Sequence, residues 1–213
     1  MMHPIGRKEL WHAQLVLLLA VILQYNIPNE LRWGSKITIA VIELILVGSI
    51  GITAPKRHIS FKSFNRTIAV LLIAVVSFSN LSSLLLVIDG LLNGSQVPGR
   101  HLVTAAFAIF ITNIIVFSLW YWELDSPGLT GLKKHDARPK FDFPQMESKL
   151  KECEGWEPTY FDYLYLSTTN ASAFSPTDTL PLTHFVKGLM SIQALISLLV
   201  VILVTARAVN ILG

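Results

Sequence analysis

The chain has 213 residues, of which 52% are hydrophobic and only 15% are charged, and its net charge is +3. This composition departs from that of a soluble domain toward that of a membrane protein. The single Cys153 excludes an internal disulfide and a cysteine metal cluster, and no cofactor is expected. The chain has no phosphate-binding loop, dinucleotide fingerprint or nucleic-acid motif, and no nucleophile occurs with a base and an orienting group. Neither an enzyme nor a nucleic-acid partner is therefore expected.

Five long apolar runs predict helices that cross a membrane, because about 20 apolar residues span the hydrocarbon core of a bilayer. The runs cover residues 10–27, 37–53, 67–92, 102–122 and 183–212. The sequence therefore predicts an all-α integral membrane protein with about five transmembrane helices. We expect a multi-pass protein of the cell membrane, with the lipid bilayer as its first partner.

The charges of the loops predict the orientation, because Lys and Arg near spanning helices are retained on the cytoplasmic side. The first run follows Arg7 and Lys8. The loop between the second and third runs contains Lys56, Arg57, Lys62 and Arg66, whereas the loops after the first and third runs have fewer basic residues. We therefore expect a cytoplasmic N-terminus and a cytoplasmic loop at 123–158.

A short apolar and aromatic segment that begins near Tyr160 is typical of a re-entrant helix. Pro158 suits the first turn of a helix, and the roughly 11 residues from Tyr160 to Asn170 are too few to cross a bilayer. A polar, hydroxyl-rich segment with two prolines follows and precedes the last run. Non-helical backbone at membrane depth is tolerated where protein buries it or where it lines a water-filled path. The sequence therefore predicts that this segment lines a pore or cavity.

The segment "YLYLSTTNASAFSPTDTLPLT", residues 163–183, resembles the pore module of the potassium-channel-like family, the tetrameric cation channels. Its Tyr165, Ser167, Asp178 and Pro181 occur at the intervals of that family's pore helix and filter. The resemblance implies peripheral helices in 1–100 and a pore-like module in 101–213, with an outer helix at 102–122, a connecting loop at 123–158, a pore helix at 159–170, a filter-like loop at 171–182 and an inner helix at 183–212. The closing part of the chain also resembles uncharacterised bacterial families of multi-pass membrane proteins.

The filter-like loop departs from that family because none of the filter glycines is present. Residues 173–177 are Ala-Phe-Ser-Pro-Thr, and these residue types cannot freely copy the backbone conformations that turn carbonyls inward. A filter of the potassium type is therefore not expected, and selectivity would depend on side-chain hydroxyls and Asp178. The predicted pore loop consists of Thr168, Thr169, Asn170, Ser172, Ala173, Phe174, Ser175, Pro176, Thr177 and Asp178.

The last run has a polar arc when its residues are placed at 100° steps. The members of the arc, which are predicted to line the pore, are Lys187, Ser191, Gln193, Ala194, Ser197 and Thr205. Small and polar residues also mark helix packing in membranes, so packing is their alternative role. Four copies of Lys187 would form a cationic ring, or Lys187 would pair with Asp178 or extend to the interface. Asp178 would attract cations at the mouth or cap the pore loop.

Glu43 lies near the middle of the second run, where an ionisable group is a candidate gating or proton site. Its alternative role is to join helices through a hydrogen bond to a neighbour such as Asn80 or Asn113.

These features together predict passive permeation of inorganic ions through the central pore of a homotetramer, with the inner helices as the gate. The loop charges make the pore loop enter from the cytoplasm. Either the module is inverted, as in glutamate-receptor pores, or the third run hides a miscounted helix. Two other functions stay open: a non-conducting structural or sensing protein with a vestigial pore, and a proton-coupled carrier that uses Glu43.

Overall fold

A computed structural model describes residues 7–53, 62–92, 98–125, 139–172 and 179–212 of the chain. The elements follow one another as α1 (Arg7–Tyr25), α2 (Lys36–Thr53), α3 (Lys62–Leu92), α4 (Gly99–Asp125), β1 (Phe141–Asp142), α5 (Pro144–Glu147), α6 (Tyr160–Ser172), β2 (Leu180–Pro181) and α7 (His184–Leu212). Short 3-10 turns occur at Asn29–Leu31 and Lys151–Cys153.

The five apolar runs coincide with the five long helices, because a helix satisfies its main-chain polar groups internally where water is absent. Within the described part of the chain, three helical stretches are long and apolar enough to cross a membrane, namely Thr67–Leu91, Gly99–Asp125 and His184–Arg207. A shorter apolar stretch, Trp11–Tyr25, lies in α1. The fold is therefore mostly helical and suited to a membrane, as the composition predicts.

The central element of the fold is α4, which packs against α1, α3, α6 and α7. Of the residues in its most apolar stretch, 72% are buried, compared with 44% in α3 and 17% in α7. The helix α7 therefore lies at the edge of the bundle, where most of its apolar surface faces outward. A protein in lipid can leave such a surface exposed, because lipid tails are as apolar as the side chains they replace.

The two strands close a loop around α6. They pair in antiparallel fashion, with Phe141 opposite Pro181 and Asp142 opposite Leu180. The pairing is extended by the Leu182 N–H, which donates to the carbonyl of Lys140 at 2.8 Å. The chain that leaves β1 toward α6 therefore returns to the same place. The sequence predicts a connecting loop at β1 and a filter-like loop at β2, because strands of two residues are too short to produce an alternating pattern.

The short helix α6 is predicted at 159–170 and is observed one to two residues further along the chain. Its start is fixed by a cap, in which Asp162 Oδ2 accepts hydrogen bonds from the N–H and the hydroxyl of Thr159 at 2.7 and 2.8 Å. A carboxylate that reaches back to the residue before the first turn satisfies an otherwise unpaired helical N–H. The buried face of α6 includes Tyr160, Tyr163 and Leu166, and the helix packs against α4 and α7.

Candidate functional site

A buried polar network joins α4, α6 and α7, and Gln193 of α7 is at its centre. Its Oε1 accepts hydrogen bonds from the Tyr121 hydroxyl at 2.6 Å and from Asn170 Nδ2 at 2.8 Å. Its Nε2 donates to the carbonyl oxygen and to Oγ of Ser167, at 2.9 and 2.7 Å. A side-chain amide has two donor hydrogens and two acceptor lone pairs, so all four hydrogen-bonding positions of Gln193 are used.

The network extends from Gln193 along the central helix. Ser167 Oγ donates to the carbonyl of Ile114 at 2.7 Å, and Asn113 Nδ2 donates to Ser197 Oγ at 2.9 Å. The hydroxyl of Ser118, also on α4, lies 3.0 Å from the hydroxyl of Tyr160. Hydrogen bonds between helices are the usual polar connection inside a membrane bundle. The helix α6 is therefore held against α4 and α7 by polar contacts as well as by packing.

Asp125, the last residue of α4, anchors both β1 and α6. Its Oδ2 accepts a hydrogen bond from the Tyr163 hydroxyl at 2.6 Å, and its Oδ1 accepts one from the N–H of Lys140. The ring of Tyr163 stands nearly perpendicular to that of Phe143, with the ring centroids 5.4 Å apart. One carboxylate at the end of the central helix therefore fixes the point where the chain turns toward α6.

We expect Asp125→Ala to loosen the strand pair. Loss of a charged acceptor typically costs about 1.5–3 kcal/mol, so amide hydrogen exchange at Lys140 and Leu182 should become about tenfold faster or more. The measurement is hydrogen exchange by mass spectrometry on the detergent-solubilised protein. The control is Asp142→Ala, in β1, which leaves both hydrogen bonds of Asp125 in place. Equal exchange rates in Asp125→Ala and the wild type would contradict the anchoring role.

The structure describes four of the predicted pore-loop residues. Asn170 joins the Gln193 network, whereas the hydroxyls of the other three donate to carbonyls one turn earlier in α6. These bonds run from Thr168 to Leu164 at 2.7 Å, from Thr169 to Tyr165 at 3.0 Å and from Ser172 to Thr168 at 2.9 Å. A hydroxyl that donates in this way keeps acceptor lone pairs. The other predicted residues, Ala173, Phe174, Ser175, Pro176, Thr177 and Asp178, lie outside the described part of the chain.

The polar arc of α7 is divided between two environments. Gln193 and Ser197 are fully buried against α4 and α6. The exposed members are Lys187, Ser191 and Thr205, and Ala194 is half-buried. Within one chain, Gln193 and Ser197 therefore face the bundle, whereas the other four residues lie on or near the outer surface of α7. Whether those four line a pore stays a prediction.

Glu43 of α2 is only 1% exposed, and it interacts electrostatically with Arg32, which is 6% exposed and follows the turn Asn29–Leu31. Burial lowers the pKa of the Arg32 guanidinium, and the Glu43 carboxylate opposes that shift. Within the described residues, Glu43 Oε1 and Arg32 Nε and Nη1 are buried atoms without a hydrogen-bond partner. The two residues therefore interact through space, without a direct hydrogen bond at these atoms.

The expected hydrogen bond from Glu43 to Asn80 or Asn113 is wrong. Asn80 Nδ2 donates to the carbonyl of Ile109 at 3.2 Å, and Asn113 Nδ2 donates to Ser197. The reason is the packing order of the helices, because α2 packs against α1 and α3 and leaves both asparagines facing other helices.

Several residues of these sites are not predicted from the sequence, among them Tyr121, Asp125 and Arg32. A partial signal exists for the network, because Asn113 interrupts an apolar run and polar residues in such runs commonly join helices. The partner of a polar residue depends on which helices meet, which a single sequence does not give. Among the described residues, no three His, Cys, Asp or Glu side chains are grouped as metal ligands.

No family model matches the chain, and neither a curated protein nor a solved structure matches it. The function must therefore be argued from the geometry of α4, α6 and α7.

Proposed function

We propose that the chain forms a passive ion pore between several of its own copies, with α6 and the loop after it as the pore-lining segment. The observation that carries the proposal is the pairing of β1 with β2. The pairing brings the chain before α6 and the chain after the following loop together, near the Asp125 end of α4. A segment of this kind, placed beside two long apolar helices, is the arrangement expected of a re-entrant pore loop.

The depth reached by α6 supports the same proposal. Ser167 contacts the carbonyl of Ile114, and Ile114 lies about 16 Å from the Asp125 end of α4 at a rise of 1.5 Å per residue. The hydrocarbon core of a bilayer is about 30 Å thick. The polar end of α6 would therefore lie near the middle of the membrane, where exposed hydroxyls and main-chain groups require water, ions or protein around them.

The pathway would lie between copies, because one chain supplies only a single loop. Cyclic closure is the general rule for such assemblies, and the fourfold number comes from the resemblance to tetrameric cation channels. The lining would consist of Thr168, Thr169 and Ser172 on α6, residues 173–178, and the exposed polar face of α7. In this arrangement Gln193 and Ser197 stand behind the lining and hold α6 in place.

The pore would open toward the side of the N-terminus. The rings of His12 and Phe161 are 5.0 Å apart, so the start of α6 lies at the same end of the bundle as the start of α1. The loop charges assign that end to the cytoplasm. The proposed module is therefore inverted relative to a potassium channel, in the sense known from glutamate-receptor pores.

Ion flux from proteoliposomes of the purified protein tests the proposal. Gradients of K⁺, Na⁺ and Cl⁻ are compared for the wild type, Asp178→Asn and Lys187→Gln. Two unit charges 4 Å apart in water interact by about 1 kcal/mol, so each variant should shift the cation-to-anion permeability ratio by about fivefold. Asp178→Asn should lower the ratio, whereas Lys187→Gln should raise it.

The matched control is Lys36→Gln, which removes a positive charge at the start of α2, away from α6 and α7. Its permeability ratio should equal that of the wild type. Absence of flux for every ion over a range of pH and voltage would reject the pore and favour a structural role with a vestigial pore loop.

A further inference from the structure

The pair of helices α1 and α2 ends at half the height of α3. Residues 26–35, which we term the hairpin turn, join the two helices, and the ring centroid of Trp33 in this turn lies 6.1 Å from that of Phe78 on α3. Phe78 is 12 residues after Arg66 and 11 before Asp89, the charged residues that flank the apolar part of α3. At a rise of 1.5 Å per residue, the turn therefore lies about 18 Å from the inner flank, on the side of the N-terminus, and about 16 Å from the outer flank.

The ends of α1 and α2 give the same height. Gln24, next to the last residue of α1, donates from Nε2 to the carbonyl of Val76 at 3.1 Å. The ammonium group of Lys36, the first residue of α2, lies 4.2 Å from the centroid of the Tyr25 ring. Val76 is two residues before Phe78 on α3. The helix α1 therefore ends, and α2 begins, close to the height of Phe78.

The central helix α4 places the bilayer at the same level as α3 does. Asn80 of α3 donates to the carbonyl of Ile109 at 3.2 Å. Asn80 is 14 residues from the inner charged flank of α3 and 9 from the outer one, and Ile109 is likewise 14 residues from Glu123 and 9 from Arg100. The flanks of the two helices thus match. The uncharged part of α3 between them is about 33 Å long, close to the roughly 30 Å of a hydrocarbon core.

The outer halves of α3, α4 and α7 present apolar side chains beyond the hairpin turn. Leu85 of α3, Phe107 of α4 and Ile202 of α7 are 58%, 63% and 53% exposed. An apolar surface on three adjoining helices is stable in lipid and unfavourable in water. The outer halves therefore lie in the bilayer, which places the hairpin turn near the bilayer midplane.

The hairpin turn is polar on its uncovered side. Its exposed polar residues are Asn26, Asn29, Glu30 and Ser35. Polar groups at the centre of a bilayer need protein or water around them, and lipid supplies neither. The described part of the chain leaves these four residues uncovered, so water is the surrounding that they require.

We propose that α1 and α2 form a re-entrant hairpin and that a water-filled vestibule, open to the outer surface, descends to the hairpin turn. Small hydrated ions enter the vestibule as far as Asn29 and Glu30. In this arrangement three helices cross the membrane, and the N-terminus and the loop at 123–158 stay on one side. The hairpin turn packs against α3, whereas α6 packs against α4 and α7. The vestibule is therefore separate from the proposed pore.

Labelling of introduced cysteines from the outside of intact cells tests the proposal. The probe is a membrane-impermeant thiosulfonate that carries a trimethylammonium group, and every variant also contains Cys153→Ser, which removes the native thiol. Asn29→Cys should react within about tenfold of the rate of Arg100→Cys at the outer flank, because a thiol in water ionises to the reactive thiolate.

Two lipid-facing positions are the matched controls. Leu198 lies on α7 near the midpoint between Lys187 and Arg207, at the depth of the hairpin turn, and Leu85 lies in the outer half of α3. Both side chains are more than half exposed, so replacing them leaves the core unchanged. Leu198→Cys and Leu85→Cys should react at least about a hundredfold more slowly than Arg100→Cys, because a thiol in hydrocarbon stays protonated.

Two outcomes would overturn the proposal. Rapid labelling of Leu85→Cys would place the outer halves of the long helices in water and make α1 and α2 cross the whole membrane. Protection of Asn29→Cys would mean that another copy or another protein covers the hairpin turn. Glu30→Cys repeats the measurement if Asn29→Cys does not fold. Labelling requires no ion flux, so this proposal and the pore proposal can fail separately.

Discussion

Replacing Gln193 by methionine should destabilise the protein by about 2–3 kcal/mol and abolish any ion flux that depends on the position of α6. Methionine has a similar length and shape, so the substitution removes hydrogen bonds and leaves no large cavity. Four bonds to Tyr121, Asn170 and Ser167 are lost, and interhelical hydrogen bonds in membrane proteins average about 0.6 kcal/mol each. The three partners stay buried without Gln193, which makes this sum a lower estimate.

The measurement is thermal unfolding in detergent, where such a loss corresponds to a fall of roughly 5–10 °C in Tm for a chain of this size. The control is Ser191→Ala, two residues earlier on the exposed face of α7. The Ser191 hydroxyl donates only to the carbonyl of Lys187 in its own helix, so Tm should stay within about 2 °C of the wild type. A Gln193→Met protein as stable as Ser191→Ala would show that the network does not hold α6.

Removing either member of the Arg32 and Glu43 pair should destabilise the protein by roughly 1–2 kcal/mol, because the remaining charge then loses a partner that acts on it through space. The single variants are Glu43→Gln and Arg32→Met. The double variant should recover most of the loss, because neutral side chains of similar size need no compensation. Unfolding temperatures of the wild type, both single variants and the double variant form a cycle that isolates the interaction between the two residues.

The same four proteins also separate a structural role for Glu43 from proton transport. If the pair is structural, the folded fraction of the double variant should conduct ions as the wild type does. Loss of proton-driven uptake in the double variant, with its stability restored, would instead favour the carrier. A Glu43→Gln variant with wild-type stability would contradict the electrostatic interaction with Arg32, because it would mean that Glu43 needs no negative charge in the folded protein.

The sequence predicts the positions of the helices well, but it predicts poorly which elements and side chains contact one another. Long apolar runs define the five long helices, and the first-turn proline and aromatic pattern near Tyr160 indicates α6. These are local signals, and the helical backbone follows from them because no other backbone structure is as easily satisfied in lipid. The pairing of β1 with β2 has no such signal, since it depends on two dipeptides about 40 residues apart.

The limits of sequence reasoning are clearest on α7. The 100° projection places Gln193 and Lys187 in one polar arc, yet Gln193 is buried and Lys187 is exposed. In a soluble helix the apolar face marks the interior, but here apolar residues surround the helix on most sides, so the pattern does not reveal which side meets the bundle. The partner of Glu43 is missed for a related reason, because Arg32 belongs to a turn whose position depends on the packing of α1 and α2.

The place of Gln193 on the last helix also means that the polar network is completed late in synthesis. Tyr121 leaves the ribosome 72 residues before Gln193, and Ser167 leaves it 26 residues before. At a rate of synthesis of roughly 5–20 residues per second, the Gln193 amide is made several seconds after α4. The helix α6 can already meet α4 through the contacts of Tyr160 and Tyr163, but its hydrogen bonds to Gln193 form only after α7 has been translated. A chain truncated before Gln193 therefore leaves the polar groups of Tyr121 and Asn170 without this partner. We expect such a chain to be less stable in the membrane and more readily degraded.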